Sequence, residues 1–213
     1  MIKAVLFDFD GVMTTDATGS LSTCKYISAQ TGLDYAAVSA AYRKHNRELL
    51  CGKVSHGDIW AEFCNQVGEN ISMDLLHTSF INTPIDENVL ALARCLKNSG
   101  CKTGMITDNK ADRIESIVTH HGWSSLFDVI SVSAIVGSGK DRREIFLRTL
   151  ESLSLDAGEC VFIDNNRDNL VVPAEMGFHT IFFDDKLRDM SELTVALHEK
   201  LHGGDVAHTL RLF

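Results

Sequence analysis

The sequence predicts an α/β protein with a doubly wound parallel sheet, and three observations support this fold class. Apolar runs of strand length recur five times, helical patterns lie between the later runs, and roughly 90 residues without a strand pattern separate the first run from the second. The runs are nearly continuous, which is typical of parallel strands covered by helices on both faces. They lie at 4–7, 104–106, 129–132, 161–163 and 181–183. This alternation of strands and helices indicates βαβ units.

The long stretch after the first strand is predicted to be an all-helical insertion. Apolar residues at helical spacing mark two of its helices, and a capping-box pair marks the start of another. These residues are Val38, Ala41, Tyr42 and Leu49 in one helix, Leu75, Leu76 and Phe80 in another, and Ser55 with Asp58 in the capping box. We expect a cap domain at 16–83, a core domain made of 1–15 and 84–213, and hinges at 16–19 and 83–85 that few core contacts cross.

Two helices of the core follow from the same periodicity. Val89, Leu92 and Leu96 share one helical face just after the insertion, and Ile114 and Val118 share a face after the second strand. Their positions between predicted strands complete the βαβ pattern.

The composition excludes several functional classes. Hydrophobic residues make up 45% and charged residues 23% of the 213 residues, as in folded globular proteins. The formal charge of -9 argues against a nucleic-acid partner, because phosphate backbones recruit clustered Lys and Arg. The six cysteines contain no zinc-site spacing, and neither a leader pattern nor an apolar run of about 18 residues is present. We expect a cytoplasmic protein with no membrane partner, either a monomer or a weak homodimer.

Polar side chains follow three of the predicted strands at the point where each strand ends. They are Asp8 and Asp10 after the first strand, Thr107, Asp108 and Asn109 after the second, and Asp164 and Asn165 after the fourth. In open α/β sheets, ligands bind outside the carboxyl ends of the strands, so these side chains are expected to meet there. Clustered carboxylates repel one another unless a cation is present, and oxygen ligands favour a hard ion such as Mg2+.

At these positions the sequence resembles the haloacid dehalogenase superfamily of phosphohydrolases, in the group that carries a helical cap after the first strand and includes sugar-phosphate phosphatases. The resemblance spans the core and covers all four family motifs in order. These are FDFDGV at 7–12, MITDN at 105–109, Lys140 in GSGKDRREIF, and FIDNNRDNL at 162–170. The resemblance implies the sheet order 5-4-1-2-3, with strands 4 and 2 on either side of Asp8.

The resemblance also implies a role for each motif residue. Asp8 would be the nucleophile that attacks phosphorus to form an aspartyl phosphate. Asp10 would protonate the leaving alkoxide and later deprotonate the hydrolytic water. The residues that bind the phosphoryl oxygens would be Gly11, Thr107, Asp108 and Lys140, and Thr107 and Lys140 would also act in catalysis.

A Mg2+ cofactor is part of the same implied chemistry. Its ligands would be Asp8, Asp164 and the backbone carbonyl of Asp10, while Asp168 or Asn169 would support the water shell. These are all oxygen donors, or residues that orient them, as a hard cation requires.

Two residues depart from the family pattern. Asp141 follows Lys140 where relatives usually have proline, so its carboxylate could pair with the lysine and weaken the hold on phosphate. Asn165 stands where close relatives usually carry a second carboxylate, which puts the metal affinity in doubt.

The sequence as a whole predicts a Mg2+-dependent phosphatase of a small phosphorylated metabolite, such as a sugar phosphate. A phosphate-transferring mutase of the β-phosphoglucomutase type, a 2-haloacid dehalogenase and a non-catalytic phospholigand-binding protein remain alternatives, although a dehalogenase would not need Asp10. A cap that closes over the site must read the leaving group. The cap residues considered for this contact are Tyr42, Arg43, His45, Arg47, Lys53, His56 and Trp60.

Overall fold

The computed structural model of the protein describes residues 1–202. Its five strands form one parallel sheet in the order β3-β2-β1-β4-β5, which confirms the predicted doubly wound α/β fold and strand order. The strands are β1 (Ala4–Phe7), β2 (Lys102–Thr107), β3 (Val129–Val132), β4 (Cys160–Asp164) and β5 (His179–Phe182). The end of the expected core domain, 203–213, lies outside the described residues.

Eleven α-helices occur within residues 1–202. Those between β1 and β2 are α1 (Gly19–Thr31), α2 (Tyr35–Arg43), α3 (Asn46–Leu50), α4 (His56–Val67), α5 (Met73–Ile81) and α6 (Glu87–Asn98). The others are α7 (Ala111–His121), α8 (Ser133–Val136), α9 (Arg143–Leu153), α10 (Val171–Met176) and α11 (Met190–His202).

Helices cover the sheet on both faces because β1 is apolar at every position. Val5 and Phe7 belong to the buried cluster that contains Val89 of α6, whereas Leu6 belongs to the opposite cluster, which contains Phe146 of α9. Successive residues of a strand point to opposite faces, so a central strand buried on both faces has no polar position.

The strand register brings the predicted site residues to one edge of the sheet. Phe7 of β1 pairs with Met105 of β2 and with Ile163 of β4. Asp8 is therefore level with Asp164, and Thr107 ends the strand on the other side.

The helical insertion differs from the prediction in two details. The apolar positions from Val38 to Leu49 mark two helices, α2 and α3, because the polar stretch around Lys44 and His45 offers no side chain to bury and the chain turns there. Helix α1 has no counterpart in the sequence prediction. Its buried face is made largely of small or polar residues such as Ser20, which give no hydrophobic periodicity.

The insertion packs closely against the sheet domain, so the expectation that few core contacts cross the junction is wrong. One buried apolar cluster contains Phe9 of the loop after β1, Tyr42 and Phe80 of the insertion, and Ile114 of α7. The backbone of Gly52 also lies against the Ala134 carbonyl of α8. The division into cap and core domains at 16–83 stays a prediction.

The structure also bears on the cysteines and on a membrane span. All six cysteines are free thiols. No helix within residues 1–202 combines the length and the apolar character that crossing a bilayer requires.

Candidate active site

A tight turn after β1 presents the first two carboxylates. The chain leaves strand geometry at Phe9–Met13, and Gly11 takes a left-handed conformation with φ of 83°. A Cβ atom at Gly11 would overlap the side chain of Asn165, so glycine is required here on both grounds. The backbone N–H of Phe9 donates to Asp8 Oδ1 at 2.7 Å and fixes that carboxylate.

Lys140 joins the ends of β1 and β4. Its Nζ lies 2.9 Å from Asp8 Oδ2 and 2.7 Å from Asp164 Oδ2, and all three side chains are almost completely buried. Asp141 does not compete for the lysine: its side chain lines a neighbouring cavity, and the expected Lys140–Asp141 pair is absent from the described residues.

Two buried carboxylates share this one ammonium group, and the pKa values of Asp8 and Lys140 reflect it. The pKa of Asp8 is raised to about 8: burial is the largest cause and the charge of Asp164 adds to it, while Lys140 acts in the opposite direction. For Lys140, burial disfavours the charged form, but the charges of Asp8 and Asp164 outweigh it and hold the pKa above its ordinary value.

Asp108 holds the loop that carries the lysine. Its Oδ1 accepts from the backbone N–H of Lys140 at 3.0 Å, and burial raises its pKa. The Asp108 side chain thus positions Lys140, and an ionised carboxylate in this place would repel phosphate. Phosphate binding at Asp108 stays a prediction.

Thr107 and Asn109 extend the polar end of β2. The Asn109 side-chain N–H donates to Thr107 Oγ1 at 3.2 Å, which leaves the threonine O–H available as a donor to a phosphoryl oxygen. Asn109 Nδ2 also donates to Asp10 Oδ2 at 2.7 Å, so one amide links the two predicted catalytic residues.

The Asp10 carboxylate is held by a buried arginine. Arg113 of α7 donates from Nη1 to Asp10 Oδ2 and from Nη2 to Asp10 Oδ1, both at 2.9 Å, and its side chain is fully buried. Nη2 also donates to Thr83 Oγ1 at 3.2 Å, next to the Thr14–Ile85 bridge where the chain enters and leaves the insertion. Asp10 is thus turned toward α7 in this structure.

Asp164 is oriented by the helical turn that follows it. The backbone N–H of Asn166 donates to Oδ1 at 2.7 Å, and the Asn169 amide lies 3.2 Å from both carboxylate oxygens. Asp168 is exposed and does not line the cavity. Of the two residues expected to support the water shell, Asn169 contacts Asp164, whereas the turn at 167–170 leaves Asp168 exposed. A role for Asp168 at the metal stays a prediction.

The donor set suits a hard divalent cation. No group of three His, Cys, Asp or Glu side chains is arranged as a metal site within residues 1–202. Asp8 and Asp164 are buried and share one positive charge, however, so without a further cation the protonated form of Asp8 is favoured, and a bound cation would favour its ionised form. Mg2+ typically takes one or two carboxylates and completes its shell with water and substrate phosphate. The remaining protein oxygen would come from the Asp10 carbonyl, while Asn169 would orient Asp164.

The site opens into a cavity of about 380 Å³ at the carboxyl edge of the sheet, a size suited to a small metabolite. Residues of the sheet domain and of the insertion line it together. Among them are Asp8, Asp10, Thr107, Lys110, Lys140 and Asn169 from the former, and Ser20, Asn46 and Leu50 from the latter.

None of the seven cap residues considered from the sequence lines this cavity. Arg47 and Lys53 line the adjacent cavity. His56 is fully buried, with Nδ1 2.7 Å from Asp112 Oδ2 and Nε2 2.8 Å from the Tyr42 hydroxyl. His56 therefore ties α4 of the insertion to α7, and it does not contact the cavity.

Lys110 and Arg113 are the residues that sequence reasoning missed. Arg113 carries no local signal, since its partner Asp10 is about a hundred positions away. Lys110 carries a weak one: it is the N-cap of α7, where the helix dipole disfavours a cation and acidic residues are preferred. Because a lysine in this position does not stabilise the helix, its presence points to another role.

Comparison with known proteins gives a consistent assignment. A family model described as haloacid dehalogenase-like hydrolase matches residues 2–177. The chain is 25% identical over 197 residues to a sesquiterpene phosphatase of Aspergillus oryzae, covering 90% of this chain and 94% of that protein. It is 23% identical over 180 residues to a phosphoglycolate phosphatase of Xanthomonas campestris pv. campestris, covering 81% and 79%.

A solved structure shares the fold. A haloacid dehalogenase family enzyme of Bacteroides thetaiotaomicron, in complex with magnesium and inorganic phosphate, superposes with a TM-score of 0.68 at 18% identity. The match covers 91% of this chain and 99% of that one.

Proposed function

The chain belongs to the haloacid dehalogenase-like hydrolase family, and we propose that it is a Mg2+-dependent phosphatase of a small phosphorylated metabolite. The observation that carries the proposal is the convergence of Asp8, Lys140 and Asp164 at the ends of neighbouring strands, with Thr107 beside them. A buried carboxylate nucleophile beside a buried ammonium group is suited to phosphoryl transfer, which depends on positioning and charge neutralisation.

In the first step, an Asp8 carboxylate oxygen attacks phosphorus, a P–O bond forms, and the bond from phosphorus to the substrate oxygen breaks. Asp10 supplies the proton that the departing alkoxide takes. Lys140 and the Thr107 hydroxyl neutralise and bind the equatorial oxygens of the phosphoryl group.

In the second step, water attacks the phosphorus of the aspartyl phosphate and Asp10 accepts its proton, which releases inorganic phosphate and regenerates Asp8. Mg2+, held by Asp8, Asp164 and the Asp10 carbonyl, would withdraw charge from the phosphoryl oxygens and permit an anionic nucleophile to approach them. The Asn169 amide keeps the Asp164 carboxylate oriented.

Proton transfer requires Asp10 to leave its present partners. Arg113 and Asn109 hold both oxygens of its carboxylate in this structure. In the proposed cycle, Asp10 turns from Arg113 toward the leaving oxygen once substrate fills the cavity, and it takes up a proton from solvent, which it then gives to the departing alkoxide. The contact of Arg113 with Thr83 places this movement beside the junction of the insertion.

The substrate is small and phosphorylated. The named activities of the relatives cover very different leaving groups, a sesquiterpene alcohol and glycolate. The first substrate panel therefore contains a sesquiterpenyl phosphate and 2-phosphoglycolate, together with sugar phosphates and the generic substrate 4-nitrophenyl phosphate.

Release of inorganic phosphate across this panel, with Mg2+ and with EDTA, tests the proposal. We expect Mg2+-dependent turnover of at least one metabolite. We also expect Asp8→Asn to lower kcat by at least about 10,000-fold, because the amide cannot attack phosphorus. The Tm and circular dichroism of the variant should match the wild type, since the amide keeps the shape of the side chain.

Each alternative leaves a distinct product. Turnover that persists in EDTA, or no phosphate release with an intact Asp8, contradicts the proposal. An isomerised sugar phosphate would identify a mutase, and halide release from a 2-haloacid would identify a dehalogenase.

A further inference from the structure

The cavity contains a second buried ammonium group that the proposed reaction does not use. Lys110 follows the polar end of β2, lines the cavity together with Asp8, Thr107 and Lys140, and is only 4% exposed. The proposed chemistry needs one lysine, and Lys140 supplies it. The position of Lys110 calls for a separate explanation.

Lys110 has no anionic partner within residues 1–202. Its Nζ donates to the Ser20 hydroxyl at 3.1 Å and lies 5.5 Å from the centroid of the Tyr42 ring. A hydroxyl and a ring face leave two of the three N–H donors unused and the charge uncompensated. Burying an ammonium group in this state is costly, because water is removed without a carboxylate to replace it.

The carboxylates around Lys110 each have another hydrogen-bonding partner. Asp10 is held by Arg113, and Asp112 lies 2.7 Å from His56. Burial, and next the charge of Arg113, lower the pKa of Lys110 to about 8. The missing anion therefore has to come from the cavity.

Two features place a receptor for an anion around Lys110. Ser20 and Asn46 line the cavity from the insertion, with Ser20 Oγ 3.4 Å from Asn46 Oδ1, and they offer side-chain groups that can hydrogen-bond an anion or a neighbouring hydroxyl. Lys110 is also the N-cap residue of α7, which has no side-chain cap, so the positive end of the helix dipole lies beside the backbone of Lys110.

We propose that Lys110, Ser20 and Asn46 form a leaving-group subsite that selects phosphomonoesters whose alcohol carries a second anionic group. The inference rests on the proposed phosphatase function and narrows its substrate class. Lys140 binds the phosphoryl group, which every substrate shares, and Lys110 binds the charge that distinguishes the preferred substrates. A carboxylate and a second phosphate share this chemistry.

Matched substrate pairs test the subsite. The carboxylate pair is 2-phosphoglycolate against ethyl phosphate, and the phosphate pair is 1,3-propanediol bisphosphate against propyl phosphate. For the wild type we expect kcat/KM to favour the charged member of at least one pair by tenfold or more. Which pair shows the preference identifies the source of the charge.

Lys110→Met should lower that preference at least tenfold, because methionine fills the space without the charge. Lys110→Arg should retain most of it. Lys186→Met removes an exposed lysine, so it controls for net charge and should leave the preference unchanged. Thermal unfolding of every variant confirms that the fold persists.

The outcomes separate this inference from the proposed function. A wild type that hydrolyses phosphomonoesters without any preference for charged leaving groups, or a Lys110→Met variant that keeps the preference, overturns the subsite and leaves the phosphatase standing. A wild type that releases phosphate from no substrate overturns both.

Discussion

Lys140 and Lys110 are buried lysines that line the same cavity, yet the surroundings of Lys140 stabilise its positive charge and those of Lys110 destabilise it. Lys140 lies between Asp8 and Asp164, whose charges outweigh burial and raise its pKa. Lys110 contacts a hydroxyl and a ring, and burial lowers its pKa to about 8. One lysine is neutralised by the protein itself, and the other is left for a ligand to neutralise.

The difference follows from the elements that supply the neighbours. Around Lys140, the partners come from adjacent strands whose register is set by backbone hydrogen bonds. Around Lys110, the nearest partner is Ser20 of the helical insertion. In the proposed enzyme, the residues at the strand ends therefore carry out phosphoryl transfer. The residues at the boundary with the insertion determine which substrate is preferred. Loop and insertion residues vary without disturbing the sheet, which is why specificity is commonly placed there.

Removing Lys140 should have the largest effect and should be the same for every substrate. Lys140→Met removes the charge that faces the transferring phosphoryl oxygens, so we expect kcat to fall about 100- to 1,000-fold. Because Asp8 and Asp164 would then face each other without a cation, the free energy of unfolding should also fall, by about 3–5 kcal/mol. Steady-state kinetics and urea unfolding measure the two effects.

The contrast between Lys140 and Lys110 fails if removing either lysine affects the same substrates. A Lys140→Met variant that loses activity only on charged leaving groups would assign both lysines to substrate selection. The exposed-lysine variant Lys186→Met again controls for the change in net charge, and its kcat should stay at the wild-type value.

The Asn169 amide should affect the metal and not the leaving group. Asn169→Ala removes the group that orients both oxygens of Asp164, so we expect the Mg2+ concentration for half-maximal activity to rise about tenfold. Asp168→Ala, at the exposed neighbouring position, should change it less than about twofold. Calorimetric titration of Mg2+ gives an independent readout. If the two variants raise the Mg2+ requirement equally, Asp168 supports Mg2+ binding as much as Asn169 does.

The sequence predicted that Asp8 and Asp164 lie near each other at one edge of the sheet, because the end of a buried strand can be recognised from local sequence. A buried parallel strand is a continuous apolar run, and a carboxylate directly after it stands at the ligand-binding edge wherever that strand lies in the sheet. Asp8 and Asp164 could be assigned to the ligand-binding edge in this way, and the register of β1 and β4 places them side by side there.

The remainder depended on geometry that no local pattern contains. The choice between Asp168 and Asn169 depends on one turn at 167–170, which exposes the first and directs the second to Asp164. Helix α1 escaped prediction because its buried face is largely small or polar, and it is this face that carries Ser20 to Lys110. The pairing of Arg113 with Asp10 joins distant segments, and residue type alone does not predict such a pairing.

The smallest expected effect is on stability, and it tests whether Lys110 lacks a partner. Since its pKa in the folded protein is lowered from 10.5 to about 8, the folded state releases between these two pH values a proton that the unfolded chain still holds. Burying the charged lysine therefore destabilises the fold at pH 7, and this penalty is relieved as the pH rises from about 8 toward 10.5.

Lys110→Met should accordingly be more stable than the wild type at pH 7, by roughly 1–3 kcal/mol, with the difference shrinking as the pH approaches 10. Urea unfolding at pH 7 and at pH 9.5 measures it, with Lys186→Met as the matched exposed control. A ligand that supplies the missing anion should act the other way and stabilise the wild type more than the variant, because only the wild type has a charge to neutralise. If Lys110→Met proves less stable at pH 7, then Ser20 and Tyr42 already compensate the ammonium group, and the contrast with Lys140 disappears.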